Sequence, residues 1–120
     1  MYKFLMSEVV TIVALISAET TAQSFLNNGV NGKFKEIPKN VSIILGMILY
    51  GVVAYLYYML LNSLSNDGEA GNALNTANSI WNAGIQITIA LVSWLIFKEK
   101  MTLMNWIGTL LMTIGLLLVI

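Results

Sequence analysis

Long apolar runs alternate with short polar segments along this 120-residue chain. The apolar runs cover residues 4–26, 41–64, 73–97 and 101–120. Because an α-helix rises about 1.5 Å per residue, each run can cross the roughly 30 Å hydrocarbon layer of a membrane. The pattern therefore predicts one domain, residues 1–120, that is an all-α membrane protein with four transmembrane helices.

The polar connectors between the runs contain residues that end and start helices. The first connector, residues 27–40, has two Asn-Gly pairs, which are expected to stop the first helix. The same connector has Pro38, which suits the entry to the second helix. The second connector, residues 65–72, is acidic, and the third is the short turn Lys98-Glu99-Lys100. These breaks define the expected boundaries of the four helices.

Composition agrees with a membrane protein and excludes several kinds of chemistry. Hydrophobic residues make up 58% of the chain and charged residues 10%, unlike the composition of a soluble domain. Cysteine and histidine are absent, which removes thiol catalysis, disulfides and the commonest metal ligands. We therefore expect neither an enzyme nor a metal or other cofactor. With a net charge of zero and no basic patch, nucleic acid is not an expected partner.

The distribution of lysines predicts how the helices are oriented. With four spans, the termini and the second connector share one side of the membrane, and the first and third connectors share the other. Lys3 alone lies on the first side. The other five lysines lie on the second side: Lys33, Lys35, Lys39, Lys98 and Lys100. Because cytoplasmic loops are enriched in lysine, the lysine-bearing connectors are predicted to lie in the cytoplasm. The chain would then be an integral protein of the cell or inner membrane with both termini on the outer side.

Glu19 is an ionisable side chain inside the first run. Placing an acidic residue at the centre of a membrane helix costs about 2.5 to 3.5 kcal/mol, and such residues usually face a bundle interior or a wet cavity. Because desolvation disfavours a carboxylate, we expect Glu19 to hold a proton and to exchange it for a cation. The alternative is a protonated structural acid hydrogen-bonded to Thr or Asn. Glu8 is nearer the end of the run and is expected to reach the lipid headgroups.

The third run carries a polar stripe on one helical face. Inside a membrane these amides and hydroxyls need hydrogen-bond partners. Two interpretations are open: hydrogen bonds between helices, worth around 0.6 kcal/mol each on average, or the wall of a hydrated substrate path. The second interpretation makes Asn82 and Gln86 candidate substrate-binding residues. The members of the stripe are Asn75, Ser79, Asn82, Gln86 and Ser93.

The fourth run is apolar apart from a few Thr and Asn side chains. Gly108 and Gly115 are seven residues apart, so they share a helical face on which a second backbone can approach closely. We expect close helix packing at these two glycines, either within the subunit or across a dimer.

Two segments of the sequence, one in the first apolar run and a longer one across the last two runs, together are typical of a known family. The first stretch is Ala18-Glu19-Thr20-Thr21. The second extends from Ile80-Trp81 through Ser93-Trp94 and Phe97 to Gly108 and Gly115. With these stretches the chain resembles the small multidrug resistance family of the drug/metabolite transporter superfamily, in which a membrane-embedded glutamate lies in the first helix.

The resemblance implies a four-helix subunit that works as an antiparallel dimer, in which Glu19 of both subunits binds protons or a cationic substrate in alternation. Trp81, with Tyr50 or Tyr55, is expected to offer an aromatic face to the cation, a contact worth about 0.5 to 2 kcal/mol. Asn78 stands where multidrug members have a tyrosine three residues before the tryptophan, and it is a further candidate substrate-binding residue. One sequence that inserts both ways needs balanced lysines, so the lysine bias favours a paired, oppositely oriented subunit over a homodimer.

The predicted function is a proton-coupled antiporter that exports small organic cations or related metabolites. Its partners are the lipid bilayer, protons and the cation, and alternating access would be a rocking of the helices about a fixed site. Two other functions stay open. One is a non-catalytic membrane subunit of a heteromeric complex, and the other is a subunit of a lipid-carrier flippase.

Overall fold

The computed structural model describes residues 6–66 and 73–119, which form four α-helices. The prediction of an all-α chain with four helices is confirmed. The helices are α1 (Met6–Asn31), α2 (Lys39–Asn66), α3 (Ala73–Leu95) and α4 (Leu103–Val119). Parts of the prediction lie outside the described residues, namely Lys3, residues 4–5, the acidic connector at 67–72 and Ile120.

The first helix is longer than the sequence pattern indicates, because α1 ends at Asn31 and not at residue 26. The Asn28-Gly29 pair does not stop the helix because the Asn28 side chain is occupied elsewhere and does not compete with the helix backbone. Its hydrogen-bond partners are Phe34, Ile37 and Ser42. The helix stops instead just before Gly32, whose φ of 62° lies in the left-handed region that glycine adopts freely.

The other helix ends follow local rules of capping. α2 begins directly after Pro38, as predicted, and the Ser42 N–H donates to the Pro38 carbonyl at 3.0 Å. α4 begins at Leu103 and is capped by a reciprocal pair. The Thr102 N–H donates to Asn105 Oδ1 at 3.0 Å, and the Asn105 N–H donates to Thr102 Oγ1 at 3.2 Å.

The helices are arranged around α1. It packs most extensively against α2 and over a smaller area against α3, whereas α4 contacts α3 alone within the described ranges. An apolar core of buried side chains lies among α1, α2 and α3. Its members are Leu15, Val53, Leu60, Leu64 and Ala77. α4 therefore flanks a unit formed by the first three helices.

Two of the four helices are long and apolar enough to cross a membrane, α1 with 26 residues and α2 over the 27 residues Lys39–Ser65. α4 is apolar but shorter, over Leu103–Leu118, and α3 does not meet the same criterion because polar side chains interrupt its apolar surface. Large apolar side chains are exposed on α2 and α4, as at Ile48 and Leu118. Extended apolar surface of this kind marks a contact with a membrane or with another protein.

Candidate functional site

The carboxylate of Glu19 lies at the junction of α1, α2 and α3, and the residue as a whole is 7% exposed. One oxygen, Oε1, accepts hydrogen bonds from Gln23 Nε2 at 3.2 Å and from the Tyr50 hydroxyl at 3.3 Å. The other oxygen, Oε2, accepts a hydrogen bond from the indole N–H of Trp81. All three donors are neutral groups, so they bind the carboxylate without neutralising its charge.

The spacing of these residues along their helices explains how they meet. Gln23 follows Glu19 by four residues, one helical turn, so both side chains lie on the same face of α1. Tyr50 comes from α2 and Trp81 from α3, so the carboxylate connects three helices. The Trp81 ring also packs against Tyr57, with ring centroids 4.8 Å apart and planes inclined by 40°.

This arrangement can bind a proton or an organic cation at one place. A carboxylate with its hydrogen-bond donors already in position needs only a counter-charge, and either species supplies it. The neighbouring rings of Tyr57 and Trp81 offer aromatic surface to a cation, an interaction worth about 0.5 to 2 kcal/mol. Because both ligands would need the same oxygen atoms, binding of one would displace the other.

The alternative interpretation of Glu19 was a structural acid hydrogen-bonded to Thr or Asn. Its three hydrogen-bond donors are instead a glutamine, a tyrosine and a tryptophan. Thr20, the next residue along α1, is buried at 9% exposure, and its Oγ1 has no hydrogen-bond partner within the described part of the chain. The hydroxyl of Thr20 therefore does not hold the carboxylate of Glu19.

The structure brings together some of the residues singled out in the sequence and leaves others apart. Tyr50 and Trp81 contact Glu19 directly. The amide side chains of α3 lie on the exposed surface of this chain and not beside the carboxylate: Asn78, Asn82 and Gln86. Tyr55, the alternative to Tyr50 as an aromatic partner, is 63% exposed. The wall of a substrate path that includes these amides would therefore need a second surface opposite α3.

Two residues at the site were not identified from the sequence. Gln23 is detectable in retrospect from its spacing of four residues after Glu19. Tyr57 lies seven residues after Tyr50, which places it on the same face of α2 two turns further along. Both signals depend on knowing which face of each helix is turned inward.

Glu8 is a second buried acid on α1. It was expected to reach the lipid headgroups, but its side chain points into the subunit. It is fully buried and accepts a hydrogen bond from Ser63 Oγ at 3.4 Å. Eleven residues separate it from Glu19, about three helical turns, so both acids lie on the face of α1 that is covered by the other helices.

Gly108 and Gly115 lie on the open side of α4. Among the described residues, a Cβ atom built on either glycine meets nothing within 4 Å beyond its own stretch of helix. Close packing against the other described helices, one of the two expectations, is therefore not seen at these glycines. Packing across a dimer stays a prediction. Within the described residues, no group of three or more His, Cys, Asp or Glu side chains is placed to hold a metal ion.

Comparison of the chain with protein-family models, with curated proteins and with solved structures finds no match.

Proposed function

We propose that this chain is a subunit of a proton-coupled membrane transporter that exchanges protons for small organic cations at Glu19. The observation that carries the proposal is the burial of the Glu19 carboxylate among three neutral donors and an aromatic surface. A buried acid is costly, and in membrane proteins such acids are characteristic of ion and substrate pathways.

Competition for the carboxylate supplies the coupling. Bound to a proton, Glu19 is neutral and has little attraction for a cation. Without the proton, its negative charge and the face of Trp81 favour a cation, and so cation binding releases a proton. Exchange of this kind makes movement of the two species across the membrane interdependent.

The surface of the chain supports a place in a membrane. α1 and α2 are long and apolar enough to cross one, and α4 exposes apolar side chains along its length. In this proposal all four helices span the bilayer, and the lysine-bearing connectors face the cytoplasm. The resemblance of the sequence to the small multidrug resistance family agrees with the same arrangement.

An oppositely oriented second subunit would complete the structure. The amides of Asn78, Asn82 and Gln86 are exposed, and such groups cannot remain unsatisfied in the hydrocarbon layer. α4 contacts α3 alone within the described residues, and its two glycines are open. A partner seated on both helices would satisfy the amides, enclose a cavity beside them and pack against the glycines.

The identity of this partner separates transport from the second candidate function. The lysine bias favours a different, oppositely oriented protein over a second copy. A membrane subunit that only organises such a partner would use the same exposed surface of α3 and α4. It would not use the charge of Glu19, and this difference allows the two functions to be tested.

The test is proton release by the membrane complex that contains this chain, purified through a tag on the chain in weakly buffered mild detergent, when quaternary ammonium or guanidinium compounds are added. The wild-type protein is expected to release protons, and Glu19→Gln is expected to release none. Glu36→Gln, which changes an exposed acid of the first connector, is the control and should behave as wild type. A wild-type protein that releases no protons across a broad panel of cations favours the organising subunit and overturns transport.

A further inference from the structure

A polar cavity lies between the C-terminal halves of α1 and α3. Its volume is about 190 Å³, which is room for several water molecules. Apolar side chains of α3 form one part of its wall, but the remainder is polar. The polar residues that line it are Gln23, Ser24, Asn27, Ser93 and Glu99.

The inner end of this cavity reaches the candidate site. Gln23 lines the cavity and at the same time donates a hydrogen bond to Glu19 Oε1 at 3.2 Å. Asn27 follows Gln23 by one more turn of α1, so polar side chains succeed each other from the buried acid toward the end of the helix. Water in the cavity would thus be separated from the carboxylate by a single side chain.

The outer end of the cavity opens beside an acidic side chain in the third connector. Glu99 is exposed, and its backbone N–H donates to the Ser93 carbonyl at 2.9 Å, which fixes the turn after α3. The Lys33 ammonium nearby is bound to the Phe97 carbonyl at 2.6 Å. Lys98 and Lys100 flank Glu99 and are also exposed. These three lysines outnumber the one carboxylate, so the rim has a net positive charge, and Glu99 marks the opening by its position and not by attracting a cation.

In the opposite direction along α1, the described side chains next to Glu19 are apolar and packed together. Leu15 lies one turn before Glu19 and is fully buried, together with Leu60, Leu64 and Ala77. These side chains pack as one apolar core and leave Glu8 on their far side along α1. Among the described residues, the polar side chains that lead to Glu19 therefore come from the end of the subunit that bears the first and third connectors.

We propose that the cavity is the vestibule through which a small cation and the exchanging protons reach Glu19, and that Gln23 at its inner end is a positioning residue. The inference rests on the proposed function and adds the route and its direction. Gln23 orients Oε1 toward the cavity, and Glu99 marks the entrance. The expected ligand is a small organic cation that can lose part of its hydration shell.

Single cysteines test the route directly, because the chain has no cysteine of its own. Ser93→Cys places a thiol in the cavity, and Thr88→Cys places one at a half-buried position of α3 that does not line it. The probe is a positively charged methanethiosulfonate reagent added to the protein in lipid vesicles. Ser93→Cys is expected to react at least roughly tenfold faster, because a charged reagent enters hydrocarbon very poorly. Saturating tetramethylammonium is expected to slow this reaction.

The outcomes of this experiment are separate from those of the proton-release test. Equal reaction rates for Ser93→Cys and Thr88→Cys overturn the vestibule, while proton release from the wild-type protein still upholds transport. A reactive Ser93→Cys that tetramethylammonium does not protect, in a protein that does release protons, also overturns it, because the cation then reaches Glu19 by another way.

Gln23→Leu tests the positioning role. Leucine fills a similar space but donates no hydrogen bond, and bonds to charged groups are strong enough that cation affinity is expected to fall about tenfold. The thermal unfolding midpoint in detergent should change little, because Glu19 Oε1 keeps the Tyr50 hydroxyl as a donor and leucine costs less to bury than an amide. An unchanged affinity, or a loss of affinity that follows a loss of stability, overturns the role of Gln23.

Discussion

Gly84 of α3 lies directly against Ile16 of α1, and a Cβ atom on the glycine would be 2.5 Å from Ile16 Cδ1. The contact lies one turn from the candidate site on each helix, since Ile16 precedes Glu19 by three residues and Gly84 follows Trp81 by three. The absence of a side chain at Gly84 therefore makes room for the Ile16 side chain next to the candidate site.

Replacing Gly84 by alanine is expected to destabilise the protein by about 1 kcal/mol or less, because the new methyl group must displace Ile16 Cδ1, the movable end of a side chain, and alanine favours the helix. Thermal unfolding in detergent measures the change. The double variant Gly84→Ala with Ile16→Val should recover most of the loss, since valine lacks the Cδ1 atom in question. Gly51→Ala is the control on α2, where a Cβ meets nothing within 4 Å, and it should be neutral or slightly stabilising. Destabilisation by both alanines would show that the contact is not the cause.

Trp81→Phe keeps an aromatic ring but removes the indole N–H that Glu19 Oε2 accepts. Hydrogen bonds to charged groups contribute about 1.5 to 3 kcal/mol, so the affinity for a quaternary ammonium ion should fall at least about tenfold. Titration calorimetry or the concentration dependence of proton release gives the affinity. Trp94→Phe, at a half-exposed tryptophan that packs against Trp106, serves as the matched control and should bind as wild type. Equal affinities in the two variants would remove the indole from the site.

Asn28→Ala is expected to lower stability by about 2 to 3 kcal/mol, because Asn28 is almost fully buried and its loss leaves other polar groups unpaired. The Ser42 hydroxyl, bound at 2.9 Å, and the Phe34 backbone N–H, bound at 2.7 Å, would lose their partner. Chemical or thermal unfolding in detergent measures the effect. Asn31→Ala, at an exposed amide three residues later, should have a much smaller effect. Similar losses for both variants would mean that helix propensity, and not the buried network, is responsible.

Thr20→Val is expected to stabilise the protein by about 1 kcal/mol or more, because valine has nearly the same shape and removes a buried hydroxyl without a hydrogen-bond partner in the described chain. Thr21→Val is the comparison, since the Thr21 hydroxyl is exposed and bonds to the Ser17 carbonyl. Unfolding midpoints of the two variants and the wild type give the answer. A clear loss of stability in Thr20→Val would show that the hydroxyl has a partner, such as water or a second subunit.

Much of the architecture was predictable because it depends on local pattern. Four runs of apolar residues predicted four helices, and Pro38 predicted the start of α2. Glu19 was recognisable as a candidate because an acidic residue inside an apolar helix is costly whichever face of the helix it lies on. The end of α1 was not predictable from the sequence. The Asn28 side chain does not break the helix because it is hydrogen-bonded to residues of the first connector and of α2.

The surroundings of Glu19 depend on how the helices are rotated against each other, and a single sequence does not contain that rotation in readable form. Tyr50 and Trp81 were expected to offer an aromatic face to the cation, and periodicity gave Asn82 and Gln86 as further candidates. The structure places the first two against Glu19 and leaves the two amides exposed. The sequence by itself determined the helices and the costly acid, because both follow from the free energy of residues near one another in the chain. Only the tertiary structure decided which donors surround the acid and from which end it is reached, because those depend on contacts between helices.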